Sequence, residues 1–321
     1  MTLVIFSYNP KYLIDSENTK LQTKIKIGSC LLKNPITVAS GTAGYGEELA
    51  NFFDLSQLGA LFTKGLSLEP RVGNQGNRIV ETTGGILNSI GLENVGLEIF
   101  LEKKLPFLLK NKATVIPNLA GHSEDENVEL AKILSGVKGI AAIELNLSCP
   151  NVKEGGMIFG TDENIFSRVV EKVRKVSKVP LIVKLTPNVT DITKFALLAE
   201  KNGAEAVSAV NTFLGMKIDP QTKKPYFKNK MAGLSGPAIK PLALRAVYQI
   251  YEKVTIPIIG LGGISTLDDV LEFILAGASA VSLGTINLVE PQRSVELVKE
   301  LKDYLAKNKI KKITEIVGQA H

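Results

Sequence analysis

Cys149 sits in the run Asn146-Leu-Ser-Cys-Pro-Asn151, at the head of the glycine-rich stretch Pro150 to Thr161. A free thiol has a pKa near ~8.5, and oriented donors or nearby positive charge lower it, so a cysteine can remove a proton near neutrality. Its neighbours Ser148, Pro150 and the glycines do not read as a core strand, unlike those of the inert buried thiol that a lone cysteine usually is. Lys64 and Lys184 stand near the ends of the apolar runs Ala60 to Lys64 and Leu181 to Leu185. Lysine there is costly to bury without a partner, which marks both as site candidates. Ser40, Gly65, Asn118, Asn146 and Asn211-Thr212 end further runs and bring hydrogen-bonding groups or a close backbone approach. Gly262-Gly263 and Gly284-Thr285 end the last two runs, where glycine turns let backbone amides cradle a phosphate. Strand ends turn polar in any fold, which explains the serines and glycines well and the two lysines poorly.

The elements that must position these residues repeat along the chain. Short β-branched runs occur at Ile36 to Ser40, Ala60 to Lys64, Thr114 to Asn118, Ala142 to Asn146, Leu181 to Leu185, Ala206 to Asn211, Pro257 to Gly260 and Ala280 to Gly284. Helix-period segments separate them. Asp162 to Ser177 carries Ile165, Val169, Val173 and Val176 at helical spacing, and Ser123 and Thr266 read as N-caps before acidic first turns. The alternation predicts an α/β fold of parallel βα units, and eight runs are the number that closes a (β/α)8 TIM barrel. In such barrels the site is built from loops at the C-terminal ends of the strands, with phosphate bound after the last two. Lys24 to Asn34, turning at Gly28-Ser29, predicts a β-hairpin at the barrel floor. Two connections, Pro150 to Thr161 and Phe213 to Gly236, are longer than a barrel requires and read as binding loops, the first as a lid. The whole chain, 1–321, is expected to be one domain, with residues 1–23 an extension of unassigned role.

Composition excludes several classes. At 321 residues and 45% hydrophobic, the chain reads as an ordered globular protein. Net charge is +6, and the densest basic run, Lys307 to Lys312, lacks interleaved aromatics, so it reads as a solvated helix end rather than a nucleic-acid surface. No stretch is long and apolar enough to span a bilayer, and Met1 to Lys20 lacks a signal-peptide pattern, so a cytoplasmic protein without a membrane anchor is expected. Two cysteines form no disulfide framework, and Cys30 reads as an inert thiol in the floor hairpin. His122 reads as a loop histidine and His321 as the chain end; two histidines and two cysteines leave no zinc or iron–sulfur site in this chain.

Beyond the Asn146–Asn151 run, Ala39-Ser-Gly-Thr42, Thr63-Lys-Gly65, Asn88-Ser-Ile-Gly-Leu92, Val183-Lys-Leu-Thr-Pro-Asn188, Val210-Asn-Thr212 and Gly233-Leu-Ser-Gly-Pro-Ala-Ile-Lys-Pro241 span nearly the whole barrel. Together they resemble the class 1 dihydroorotate dehydrogenases. Gly155 to Gly160 and Asn211 to Asp219 look like the branch that passes electrons to NAD. The resemblance implies one FMN per chain, oxidation of dihydroorotate to orotate, and Cys149 as the base at C5 while FMN takes the C6 hydride. It implies that Ser40, Lys64, Gly65, Asn118, Asn146, Lys184 and Val210 lie around the flavin ring, and that Gly236, Gly262, Gly263, Gly284 and Thr285 hold its phosphate. Lys64, Asn88, Ser89, Ile90, Gly91, Leu92, Asn146, Asn211 and Thr212 would hold the substrate. It further implies a homodimer core joined by a partner subunit carrying FAD and a 2Fe–2S cluster, as a heterotetramer. A fumarate-linked enzyme without that partner, a pyrimidine-reducing relative and a non-catalytic flavin-binding barrel are the alternatives. Glu93 departs from the uncharged residue usual after the Asn88–Leu92 motif and is expected to face solvent.

Overall fold

Short aliphatic and β-branched runs form strands where both faces can be buried. The computed structural model describes residues 21–147 and 159–321. A hairpin opens the described chain: β1 (Ile25–Ile27) pairs antiparallel with β2 (Cys30–Leu32) across Gly28-Ser29, with Gly28 at φ 56°. A side chain at Gly28 would run into Glu205, which immediately precedes a barrel strand. The turn therefore lies against the N-terminal end of the barrel, as the floor position requires.

The remaining strands are β3 (Ile36–Val38), β4 (Ala60–Leu66), β5 (Ile79–Thr82), β6 (Gly85–Asn88), β7 (Val115–Leu119), β8 (Ile143–Asn146), β9 (Leu181–Lys184) and β10 (Ala206–Ala209). They continue with β11 (Phe213–Met216), β12 (Ile218–Asp219), β13 (Lys224–Pro225), β14 (Met231–Ser235), β15 (Ile258–Gly260) and β16 (Ala280–Leu283). Eight of these close a barrel in the order β10-β15-β16-β3-β4-β7-β8-β9, with every neighbouring pair parallel. These are the eight runs expected from sequence, each within two residues of its expected ends.

The helices are α1 (Gly96–Ile99), α2 (Leu105–Lys110), α3 (Glu124–Ser135), α4 (Glu163–Val176), α5 (Ile192–Lys201), α6 (Lys240–Tyr251), α7 (Leu267–Leu275), α8 (Ile286–Val289) and α9 (Arg293–Lys307). Ser123, Asp162, Asp191 and Thr266 cap α3, α4, α5 and α7 by accepting backbone N–H bonds in their first turns. The first βα unit departs from the pattern: between β3 and β4 the described chain makes only 3-10 turns, at Leu49–Asn51 and Leu55–Gln57. Gly41, Gly44 and Gly46, all at positive φ, turn the chain too sharply there for a helix to start.

Helices and barrel strands share one apolar core, whose largest fully buried side chains include Phe62, Phe100, Phe166 and Phe273. A second sheet lies apart from the barrel strands. In it β5, β6, β14 and β11 run antiparallel in the order β11-β14-β6-β5, with a small core of Leu87, Phe227 and Ala232. The long Phe213–Gly236 connection thus forms strands of its own. It pairs with a third long connection, between β4 and α1, that the sequence reading did not single out.

Candidate active site

Two strands of the barrel carry opposite charges into its interior. Lys184, at the end of β9, is 5% exposed, and Glu144 in β8 is 2% exposed. Lys184 Nζ donates to Ser40 Oγ at 3.0 Å and lies 3.8 Å from Glu144 Oε2. Glu144 also accepts from Asn118 Nδ2 and from Ser208 Oγ, each at 2.6 Å. Both buried charges are thereby paired and hydrogen-bonded, the condition under which such groups are tolerated. Asn118 Oδ1 accepts from Asn146 Nδ2 at 3.3 Å, and Asn146 Oδ1 lies 3.5 Å from Asn211 Nδ2, at the limit of a hydrogen bond. Gly65 makes room for this network, since a side chain there would meet Asn118 Oδ1 at 3.1 Å and Ala120 at 2.9 Å.

The barrel mouth therefore joins Ser40, Lys184, Asn118, Asn146 and Asn211 in one connected set. Lys64 stands apart from it. Lys64 Nζ is 3.8 Å from Glu93 Oε2, and the same carboxylate oxygen accepts from Arg78 at 2.5 Å. Glu93 thus belongs to an ion-pair cluster beside Lys64 while its side chain stays 43% exposed, so it faces solvent as expected and also binds two cations. Val210 continues the end of β10 through its N–H to Leu261 O at 2.9 Å.

The Asn88–Leu92 segment is held by a residue that sequence reasoning missed. Asn74 donates to Ser89 Oγ at 3.0 Å and its N–H donates to Ile90 O at 2.9 Å; a side chain at Gly91 would collide with it. Asn88 Nδ2 donates to Gly233 O at 3.1 Å, so this segment is tied to β14. Thr212 packs against Gly233, and its carbonyl accepts from Asn188 Nδ2 at 3.0 Å. Asn188 also accepts from Leu214 N–H, clamping the segment after β9 to the segment that follows β10.

On the other side of the mouth, Gly236, Gly263 and Thr285 line a cleft of about 370 Å³ with Ser265, Thr266 and Arg293. Gly236, Gly262 and Gly263 have φ of 106°, 136° and 74°, all in the region that favours glycine. Added side chains would bring Gly236 to 2.6 Å from Gly85 Cα and Gly263 to 2.8 Å from Gly236 O. Gly41 faces open space, and a side chain at Gly284 would meet only Ala39, at 4.0 Å. Thr285 Oγ1 donates to Ser235 Oγ at 2.9 Å, joining the end of β16 to β14. Arg293 does not offer a free guanidinium to the cleft, because it is spent on Ser265 O, Glu296 and Glu300.

Cys149 lies outside the described residues, as do Gly155 to Ile158 of the glycine-rich loop. Phe159 is buried and Gly160 sits against the carbonyl of Leu147, so the described chain resumes beside the point where it stops. Cys30 is buried in the hairpin and its thiol is pushed up by burial, as an inert core thiol should be. Burial also pushes the Tyr45 hydroxyl up to about 12, outweighing the bond from Val95 N–H. His122 is exposed on the turn before α3. Among the described residues no cluster of histidine, cysteine and carboxylate side chains has the makings of a metal site, and no helix is long and apolar enough to cross a membrane.

A closed (β/α)8 barrel with a lysine–carboxylate–amide network and a glycine-lined cleft at one mouth defines a barrel enzyme with room for a phosphate-bearing group. The family model for dihydroorotate dehydrogenase matches residues 21–305, and the chain belongs to that family. It is 52% identical over 302 residues to a protein of Desulforamulus reducens named dihydroorotate dehydrogenase B (NAD(+)), catalytic subunit, covering 94% of this chain and 99% of that one. Proteins with the same name from Geotalea daltonii, 48% identical over 299 residues, and Trichlorobacter lovleyi, 49% identical over 294 residues, are covered to 98% and 97%, and the matches take in 93% and 92% of this chain.

Proposed function

We propose that the chain is the catalytic subunit of an FMN-dependent dihydroorotate dehydrogenase of pyrimidine biosynthesis, whose electrons reach NAD through a partner subunit. The observation that carries this reading is the buried network at the barrel mouth, in which Lys184, Glu144, Asn118, Asn146 and Asn211 converge. Family membership and relatives named as NAD-linked catalytic subunits support the reaction and favour it over a fumarate-linked one.

The residues fit FMN. Gly41 and Gly284 leave open space at the strand ends, and the positive-φ glycines Gly236 and Gly263 border the cleft beside Thr285, with Gly262 next in the same turn. These glycines and Thr285 would hold the phosphate, with Ser40, Lys64, Gly65, Asn118, Asn146, Lys184 and Val210 around the ring. FMN, when bound, supplies the acceptor for the hydride lost from C6 of dihydroorotate. Lys184 contributes fixed positive charge beside that ring. Asn88, Ser89, Ile90, Gly91, Leu92, Asn211 and Thr212, with Lys64 and Asn146, hold the substrate, whose carboxylate and ring carbonyls match amide donors and an ammonium. Cys149 takes the C5 proton as general base.

The chain works as a single domain, with residues 1–20 outside the described region and Gln22 bridged to Lys312 near the C-terminus. The assembly is a homodimer core with an FAD- and 2Fe–2S-bearing subunit, as a cytoplasmic heterotetramer. The test is to add dihydroorotate anaerobically to purified protein and follow its visible spectrum. Bleaching of a bound flavin supports the reading; a yellow protein that keeps its colour overturns the substrate, and a colourless one that FMN cannot reconstitute overturns the cofactor.

A further inference from the structure

We propose that Glu144 is a positioning residue that sets the hydrogen-bond direction of the amide chain Asn118–Asn146–Asn211, so that the far end of the chain meets the substrate with an N–H donor. This rests on the dihydroorotate reading and adds a buried residue that lies behind the strand-end side chains and is not itself among the site residues named from sequence. A carboxylate can only accept. Glu144 Oε2 lies 2.6 Å from the Asn118 side chain, so Asn118 must turn its amide nitrogen toward it. That choice leaves Asn118 Oδ1 to accept from Asn146 Nδ2 at 3.3 Å. Asn146 Oδ1 then faces Asn211 Nδ2 at 3.5 Å, and Asn211 Oδ1 accepts from Thr212 N–H at 2.8 Å.

Each carbonyl oxygen in the chain is engaged by its neighbour, and the direction propagates from Glu144 outward. Asn118 relays the direction, and Asn211 uses one N–H hydrogen within the chain and keeps a second, so N–H is what it has to offer the substrate. Orotate presents acceptors: a carboxylate and two ring carbonyls. An amide turned round would set lone pairs against lone pairs. Ser208 and Lys184 hold the carboxylate from its other sides, at 2.6 Å and 3.8 Å, which fixes where the direction begins.

Glu144→Gln keeps the shape and lets the first link reverse. Titrating orotate into the flavin-loaded protein and following the flavin spectrum, which needs no turnover, is expected to show binding at least tenfold weaker in Glu144→Gln, with flavin content preserved. The Glu144→Gln, Asn118→Asp double variant restores an acceptor facing Asn146, now held by a donor at position 144, and recovers most of the affinity. Unchanged orotate binding in the single variant overturns the inference, as does a folded double variant that stays as weak as the single one. If the single variant loses its flavin, a double variant that regains both flavin and orotate binding supports it. Wild-type protein that binds no orotate overturns the dihydroorotate reading and this inference with it.

Discussion

Lys184 and Glu144 are both almost wholly shielded from water, and they are held by each other and by the neutral groups of Ser40, Asn118 and Ser208. Removing one member of a buried ion pair leaves an uncompensated charge, which typically costs about 3–5 kcal/mol. Lys184→Met is therefore expected to lower the thermal midpoint of the flavin-free protein markedly, as differential scanning calorimetry would record. A change of only a degree or so would mean that water reaches Glu144 after all. The lysines were legible in the sequence because charge inside an apolar run is unusual. Glu144, between Ile143 and Leu145, carries the same signal and was passed over. Its partners Ser208 and Asn118 lie 64 and 26 residues away, and such long-range side-chain contacts leave no local trace. Glu93 shows the same limit: nothing near it in sequence announces that Arg78 and Lys64 converge on it.

At the scale of elements, the barrel strands were legible and the small antiparallel sheet was not. Barrel strands are buried on both faces, so their sequences are short continuous apolar runs bounded by turns. β5 and β6 are mostly half-exposed, with polar residues breaking the run, and only the Thr83-Gly84 turn between Ile79-Val80 and Ile86-Leu87 hinted at a hairpin. The glycine turns at Gly262 and Gly263 stand out in the sequence because paired glycines mark backbone that other residues adopt at a cost. Gly263 is at φ 74° with Gly236 O and Lys240 close by, so Gly263→Ala should strain the turn by about 1–3 kcal/mol. The expected result is protein that purifies with substoichiometric FMN and rebinds it at least several-fold more weakly by fluorescence titration. Full flavin occupancy with unchanged affinity would remove Gly263 from the phosphate site.

At the scale of the whole molecule, an ion pair joins the neighbouring helices α6 and α7. Asp269 completes the capping box of α7 with Thr266 and binds Lys240 of α6 at 2.6 Å. Burial pushes its carboxyl upward, but the Lys240 ammonium and the N–H groups of Ser265 and Thr266 together outweigh it and hold the pKa at about 2. A depressed folded-state pKa contributes stability that is present above the unfolded value near ~3.8 and is lost as pH falls through about 2. The contribution is on the order of 2 kcal/mol. Asp269→Asn should therefore be less stable than wild type at pH 7 by denaturant unfolding, and the gap should narrow as pH falls from 4 toward 2. A gap independent of pH would assign the effect to capping geometry rather than charge.

The central claim is that this barrel mouth oxidises dihydroorotate with Cys149 as its base. The most direct test is the single-turnover rate of flavin bleaching by dihydroorotate, wild type beside Cys149→Ala, at equal flavin content and with orotate binding measured in both. General-base catalysis is worth roughly 10²–10⁴-fold. The account predicts a variant that binds orotate normally and bleaches at least about a hundredfold more slowly; a variant that bleaches at the wild-type rate would contradict it.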